Sequence, residues 1–215
     1  MKPIALRFAS LMTLLTLVTI SIGCTGPLLT GMYLLGYGDT QAEYKGLKGK
    51  NVAVVCRPLV EQQYSNMNAS KMIAREVAKR LRQNVSRIKI VNSQKVDEWL
   101  DANAGDDYVE IGRAFNADVV VGIDLFGFNL YEGQTLYRGT ANYELKVIDC
   151  ETGDVVFEKP PVHSVRPPNT GVPTSEKNEA QFRRQYVGKL ADEISRTFHS
   201  HDHRTTFASD AAAFD

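Results

Sequence analysis

Asn51-Val52-Ala53-Val54-Val55-Cys56 is a near-continuous apolar run of strand length. Such a run suits a strand covered on both faces. Arg57-Pro58 closes it, because proline cannot donate to a ladder. A polar loop at 61–68 is expected next, then a helical pattern in which Ile73, Val77 and Leu81 recur every four residues beside Ala74 and Ala78. Asn68 or Ser70 is suited to cap that helix. Ile88-Lys89-Ile90-Val91 reads as a second, short strand. Ser93 opens a second helix with Val96, Trp99 and Leu100 on one face, and Asp97, Glu98 and Asp101 are expected on its solvated side. Asp107 with Glu110 has the spacing of a capping box for a third helix holding Ile111, Ala114 and Phe115.

Further out, residues 118–130 carry the strongest strand signal, with Val119-Val120-Val121 followed by Ile123, Leu125 and Phe126. Glu132-Gly133-Gln134 reads as a hairpin turn, and residues 135–149 return with Leu136, Tyr143, Leu145 and Val147 among polar partners. Glu151-Thr152-Gly153-Asp154 is another tight turn before a strand Val155-Val156-Phe157. Pro160, Pro161, Pro167, Pro168 and Pro173 then read as one long loop. A last helix is expected from near Thr174, since Phe182, Tyr186, Leu190, Ile194 and Phe198 repeat every four residues. The order predicts a single α/β domain over 51–198: a mixed β-sheet flanked by helices, with the C-terminal helix docked on the sheet. Residues 199–215 are polar and alanine-rich and are expected to be disordered.

Upstream, the chain begins with an address. Lys2 and Arg7 precede an uncharged stretch, and the run 11–22 is apolar or small, so residues 1–23 read as a secretory signal peptide. It ends in Ser21-Ile22-Gly23-Cys24, which resembles the lipobox of bacterial lipoproteins, with Ser21 where leucine is usual. The resemblance makes Cys24 the lipid-attachment residue, carrying acyl chains such as palmitate. Thr25 in place of an aspartate points to the outer membrane rather than the inner. Each buried methylene contributes about 0.8 kcal/mol and one chain holds only marginally, so several chains make a permanent anchor. Residues 24–50 read as a membrane-proximal tether.

The whole chain has 215 residues with 25 basic and 25 acidic side chains. Removing residues 1–23 leaves 23 basic and 25 acidic. A protein that grips phosphate backbone shows a basic excess, so nucleic acid is not expected as a partner.

Three segments together resemble a family. They are the opening strand 51–56 with its helix; the phrase Ile111-Gly112-Arg113-Ala114-Phe115-Asn116-Ala117-Asp118-Val119-Val120-Val121-Gly122; and Leu145-Lys146-Val147-Ile148-Asp149-Cys150-Glu151-Thr152-Gly153-Asp154-Val155-Val156. The pattern is similar to the superfamily that includes the curli secretion lipoprotein, the lipoprotein activator of penicillin-binding proteins and the amino-terminal domain of the Tol-system propeller protein. The resemblance implies a non-catalytic, periplasm-facing adaptor that binds another envelope protein. The alternative is an oligomeric subunit of an outer-membrane secretion or transport apparatus.

No phosphate-cradling glycine loop, nucleophile elbow or metalloprotease helix is present, so no catalytic residue, cofactor or enzyme activity is expected. Lys71, Arg75, Lys79 and Arg82 recur at three- and four-residue steps and form one basic stripe. That stripe and the stiff prolines Pro160, Pro161, Pro167 and Pro168 are the candidate partner surface. Cys56 and Cys150 end predicted strands and are candidates for a disulfide in an oxidising compartment. His199, His201 and His203 are the single ligand-like cluster, on a tail with no preformed metal site expected.

Overall fold

A computed structural model describes residues 39–58, 63–103 and 107–202. Cys24, the signal segment, His203 and the rest of the tail lie outside the described residues. Strand β1 (Asn51–Pro58) leads through helix α1 (Gln63–Asn84) to the short β2 (Lys89–Ile90). Helices α2 (Ser93–Ala102) and α3 (Tyr108–Ala114) follow. Then come β3 (Val119–Glu132), β4 (Leu136–Asp149), β5 (Val155–Arg166), the two-residue β6 (Val172–Pro173) and helix α4 (Glu179–Arg196). The sheet runs β2-β1-β3-β4-β5, with β6 paired to the start of β4. β1 is parallel to both neighbours, and the β3-β4-β5 half is antiparallel.

Two cores explain the two sequence patterns. Val52, Val54 and Cys56 face α1 and α4 in the larger core, while Ala53 and Val55 face α2 and α3 in the smaller. β1 is therefore covered on both sides and reads as unbroken apolar sequence. β4 alternates because α4 covers only its Tyr143, Leu145 and Val147 face. Phe182, Tyr186, Leu190, Ile194 and Phe198 are all buried, so the C-terminal helix is docked on the sheet. Arg80 ties α1 to α4 by donating to the Gly188 carbonyl at 2.7 Å and pairing with Asp192 at 3.5 Å.

The Ala-Asp phrase has a local cause. The Asp118 carboxylate accepts the Asn51 N–H at 2.6 Å, and the Asn51 side chain donates to the Asn116 carbonyl at 2.7 Å. Together they set the register of β1 beside β3. Gly122, further along β3, lies against the Tyr108 ring, and a Cβ there would come within 2.6 Å of it.

Several expectations are corrected. The proline stretch is not one long loop: β5 runs unbroken through Pro160-Pro161, which sit opposite Glu144 at a bulge on the outer edge strand, and only Pro167 and Pro168 lie in the short link to β6. Prolines are tolerated there because an edge strand need not donate outward. Helix α1 starts at Gln63, so Asn68 and Ser70 lie within it, and the Ser70 hydroxyl bonds back to the Met67 carbonyl. Asn92, not Ser93, caps α2, accepting from the Gln94 and Lys95 N–H groups. Helix α4 begins at Glu179 behind the Asn178 cap, five residues later than expected. Part of the predicted tether belongs to the fold: Leu47 is fully buried, and Tyr44 packs against Phe157 at 5.1 Å and Phe198 at 6.4 Å.

Candidate interaction site

At its carboxyl end β1 brings Arg57 onto the same sheet face as Asp124 of β3 and Glu144 and Lys146 of β4. The Arg57 guanidinium stacks 3.6 Å from the centroid of the Tyr108 ring on α3. The Tyr108 hydroxyl donates to Asp124 Oδ1 at 2.6 Å, and Arg57 reaches the same oxygen at 3.3 Å. Lys146 lies 3.5 Å from Asp124, 3.3 Å from Glu144 and 3.8 Å from Glu158. Burial pushes the Tyr108 hydroxyl well above its ordinary value, so it stays a donor. This cluster sews four strands and a helix together. Sequence reasoning did not single out Arg57, Tyr108, Asp124 or Lys146. The signal was Asp124 between Ile123 and Leu125: a charge on a central strand that must find partners inside the fold.

Beside this cluster a cleft of about 370 Å³ opens between α1 and α2, floored by residues 54–58 of β1. Its walls include Met67, Ala74 and Leu100. Two ion pairs cross from α1 to α2: Lys71 to Asp101 at 2.6 Å and Arg75 to Asp97 at 2.6 Å. Asp97 is thus not on a solvated face; its side chain is 9% exposed. Burial raises its pKa, and the Arg75 hydrogen bond and charge offset only part of that.

The predicted basic stripe is divided by these contacts. Lys71 and Arg75 are committed to α2, Lys79 pairs with Glu76 at 3.7 Å, and Arg82 is exposed at the end of α1. Of the prolines, Pro160, Pro161 and Pro168 are exposed, Pro167 is half-buried, and none is near the α1 stripe in the sheet order. The candidate partner surface is therefore not one patch.

Removing Arg75 would leave the buried Asp97 carboxylate with a poorer partner. Arg75→Ala is expected to lower stability by about 1–3 kcal/mol near neutral pH, less than for a fully buried pair because Arg75 itself is exposed. Asp97 has a raised folded pKa, so the protonated form is the one the fold favours. That contribution is present in acid and lost as pH rises through the folded pKa. The loss in Arg75→Ala should accordingly shrink when urea unfolding is repeated near pH 4; an equal loss at both pH values would refute the burial of Asp97.

Cys56 and Cys150 are both free and buried. Cys56 sits opposite Ile123, and Ile123 opposite Leu145, five residues before Cys150. At about 3.3 Å per residue the two are offset by roughly 16 Å along the strands, far beyond the ~7 Å a disulfide spans. They also belong to different cores. The structure does not bring the two candidate cysteines together. Burial pushes both thiols up, so neither is a ready nucleophile. His199 and His201 have ring centroids 6.1 Å apart, and His201–Asp202 form a two-residue strand. Among the described residues no group of three or more His, Cys, Asp or Glu converges as metal ligands would. Nor is any described helix long and apolar enough to cross a membrane.

The fold is similar to those of several solved bacterial proteins. PelC from Paraburkholderia phytofirmans, solved as a dodecamer, is 16% identical over 74% of this chain and 94% of that one, with a TM-score of 0.43. Lipoprotein GNA1162 from Neisseria meningitidis is 13% identical, covering 67% of this chain and 97% of that one, with a TM-score of 0.39. The C-terminal domain of LpoB from Salmonella enterica is 15% identical, covering 54% and 83%, with a TM-score of 0.31. At these identities the likeness is one of fold. No family model matches the chain, and no curated protein matches it.

Proposed function

We propose that the chain is a lipid-anchored, periplasm-facing adaptor of the cell envelope that binds another envelope protein and catalyses nothing itself. The anchor half rests on Ser21-Ile22-Gly23-Cys24 behind an uncharged signal segment, with the outer membrane favoured by Thr25. The binding half is carried by the cleft beside β1, where a strand edge, apolar walls and paired charges meet.

Intact-mass measurement should find a chain beginning at Cys24 with acyl mass, and Cys24→Ala should accumulate as uncleaved precursor. An unmodified, soluble wild-type chain would sink the anchor. Lysine-reactive crosslinking in intact cells should join the chain to an envelope protein, and crosslinks to nothing but itself would remove the adaptor role. A second reading, the oligomeric subunit of a secretion or transport apparatus, draws on Val155 and Val156, which are 52% and 45% exposed on the outer edge strand. Sedimentation of the detergent-solubilised chain separates the two, a closed ring favouring the second.

A further inference from the structure

The ladder between β1 and β2 stops early. The Val91 N–H donates to the Val52 carbonyl at 2.9 Å and the Lys89 N–H to the Lys50 carbonyl at 2.9 Å, both on the β2 side. On the opposite side the Asp118 N–H donates to the Asn51 carbonyl at 2.8 Å. Main-chain groups of a strand alternate between its two edges, so Val54 and Cys56 direct N–H and C=O toward the side that β2 has left, and Pro58 directs a carbonyl there. Among the described residues no strand pairs with 54–58 on that side. This unpaired, recessed edge is the floor of the cleft between α1 and α2.

The two edges of the sheet differ in kind. The outer strand β5 carries the Pro160-Pro161 bulge and the Lys159–Glu43 ion pair, devices that discourage strand addition. The β1 edge ends in Pro58 and is recessed between α1 and α2, with Val54 3% and Cys56 7% exposed, so a chain added there must enter between the helices beside the two ion pairs. Charge makes the same selection. Lys71 and Arg75 are matched by Asp101 and Asp97, so the cleft offers no net field to an ion. It offers main-chain donors and acceptors at strand spacing, with Met67, Ala74 and Leu100 as apolar walls.

We propose that this cleft receives an extended, uncharged peptide segment of the partner protein, added as a strand along 54–58 of β1. Main-chain bonds to Val54 and Cys56 give affinity, and small apolar side chains against α1 and α2 give selectivity. The edge is five residues long, about 16 Å, so it reads four or five residues of the partner. The proposal rests on the adaptor reading above and names its site.

The test presents the full-length chain in detergent to a display library of random twelve-residue peptides and follows the enriched peptides by amide exchange. Enriched peptides are expected to slow exchange of the Val54 and Cys56 amides at least about tenfold, leaving Ala53 and Val55, already bonded to β3, unchanged. Cys56→Pro deletes a donor facing the cleft without touching the ladder to β3, and should weaken these peptides about tenfold or more. Leu100→Arg, which places a charge in the wall, should weaken them as well and keeps the test open if the proline variant misfolds. Enrichment of no peptide, or protection confined to other amides, overturns the site. If crosslinking in cells still finds an envelope protein in that case, the adaptor reading stands and only its placement at β1 falls.

Discussion

Ile194→Ala is expected to lower the unfolding free energy by about 2–5 kcal/mol, a large share of the ~5–15 kcal/mol that holds a domain together. Ile194 is 1% exposed and lies in the larger core with Leu190 and Tyr186, at the heart of the contact between α4 and the sheet. Truncation removes apolar transfer energy and leaves a void that neighbours on both α4 and the sheet cannot all close. The check is urea unfolding against Arg184→Ala, an exposed position on the same helix, which should move stability by no more than about 0.5 kcal/mol. An unchanged midpoint for Ile194→Ala would mean that α4 is not docked.

Gly139→Ala should be destabilising although alanine is the better strand residue. Alanine in place of a strand glycine contributes about 0.5–1 kcal/mol through the unfolded chain. Against this, the new Cβ would fall on the Tyr186 ring, closer than van der Waals contact allows. Tyr186 is fully buried, stacked 6.5 Å from Phe182 and tilted against Phe128 at 5.4 Å, and its hydroxyl donates to the Ser164 carbonyl at 3.5 Å. It has nowhere to retreat, and overpacking of this kind costs about 1–3 kcal/mol. The net sign is a loss of about 1–2 kcal/mol. Tyr186→Leu in the same chain should recover part of it, giving a non-additive double-mutant cycle. Additive losses would show that Gly139 and Tyr186 do not meet.

How far the site could be read in advance follows from the range of each interaction. The apolar face of α1 from Ile73 to Leu81 and the docked face of α4 were visible because a four-residue apolar repeat is written into consecutive sequence, whereas the polar first turns of α1 carry no such repeat and read as a loop. The proline stretch was misread because Pro160 and Pro161 signal a break locally. Their tolerance depends on β5 being an edge, which is a property of strand order. Asp97 looked like one more surface carboxylate of α2 until α1 placed Arg75 across from it.

Local periodicity carries the main elements: an apolar strand, amphipathic helices, a long hairpin and a final docked helix, each set by the period of side chains along the backbone. The sequence also wrote the candidate anchor at Cys24, a short motif read without folding. The tertiary structure alone decided which thiols are apart, which charges of the basic stripe are spent on α2, and that β2 ends before β1 does. Those outcomes depend on which strands pair and in what register. Pairing joins residues far apart in the chain, and local periodicity carries no record of the partner.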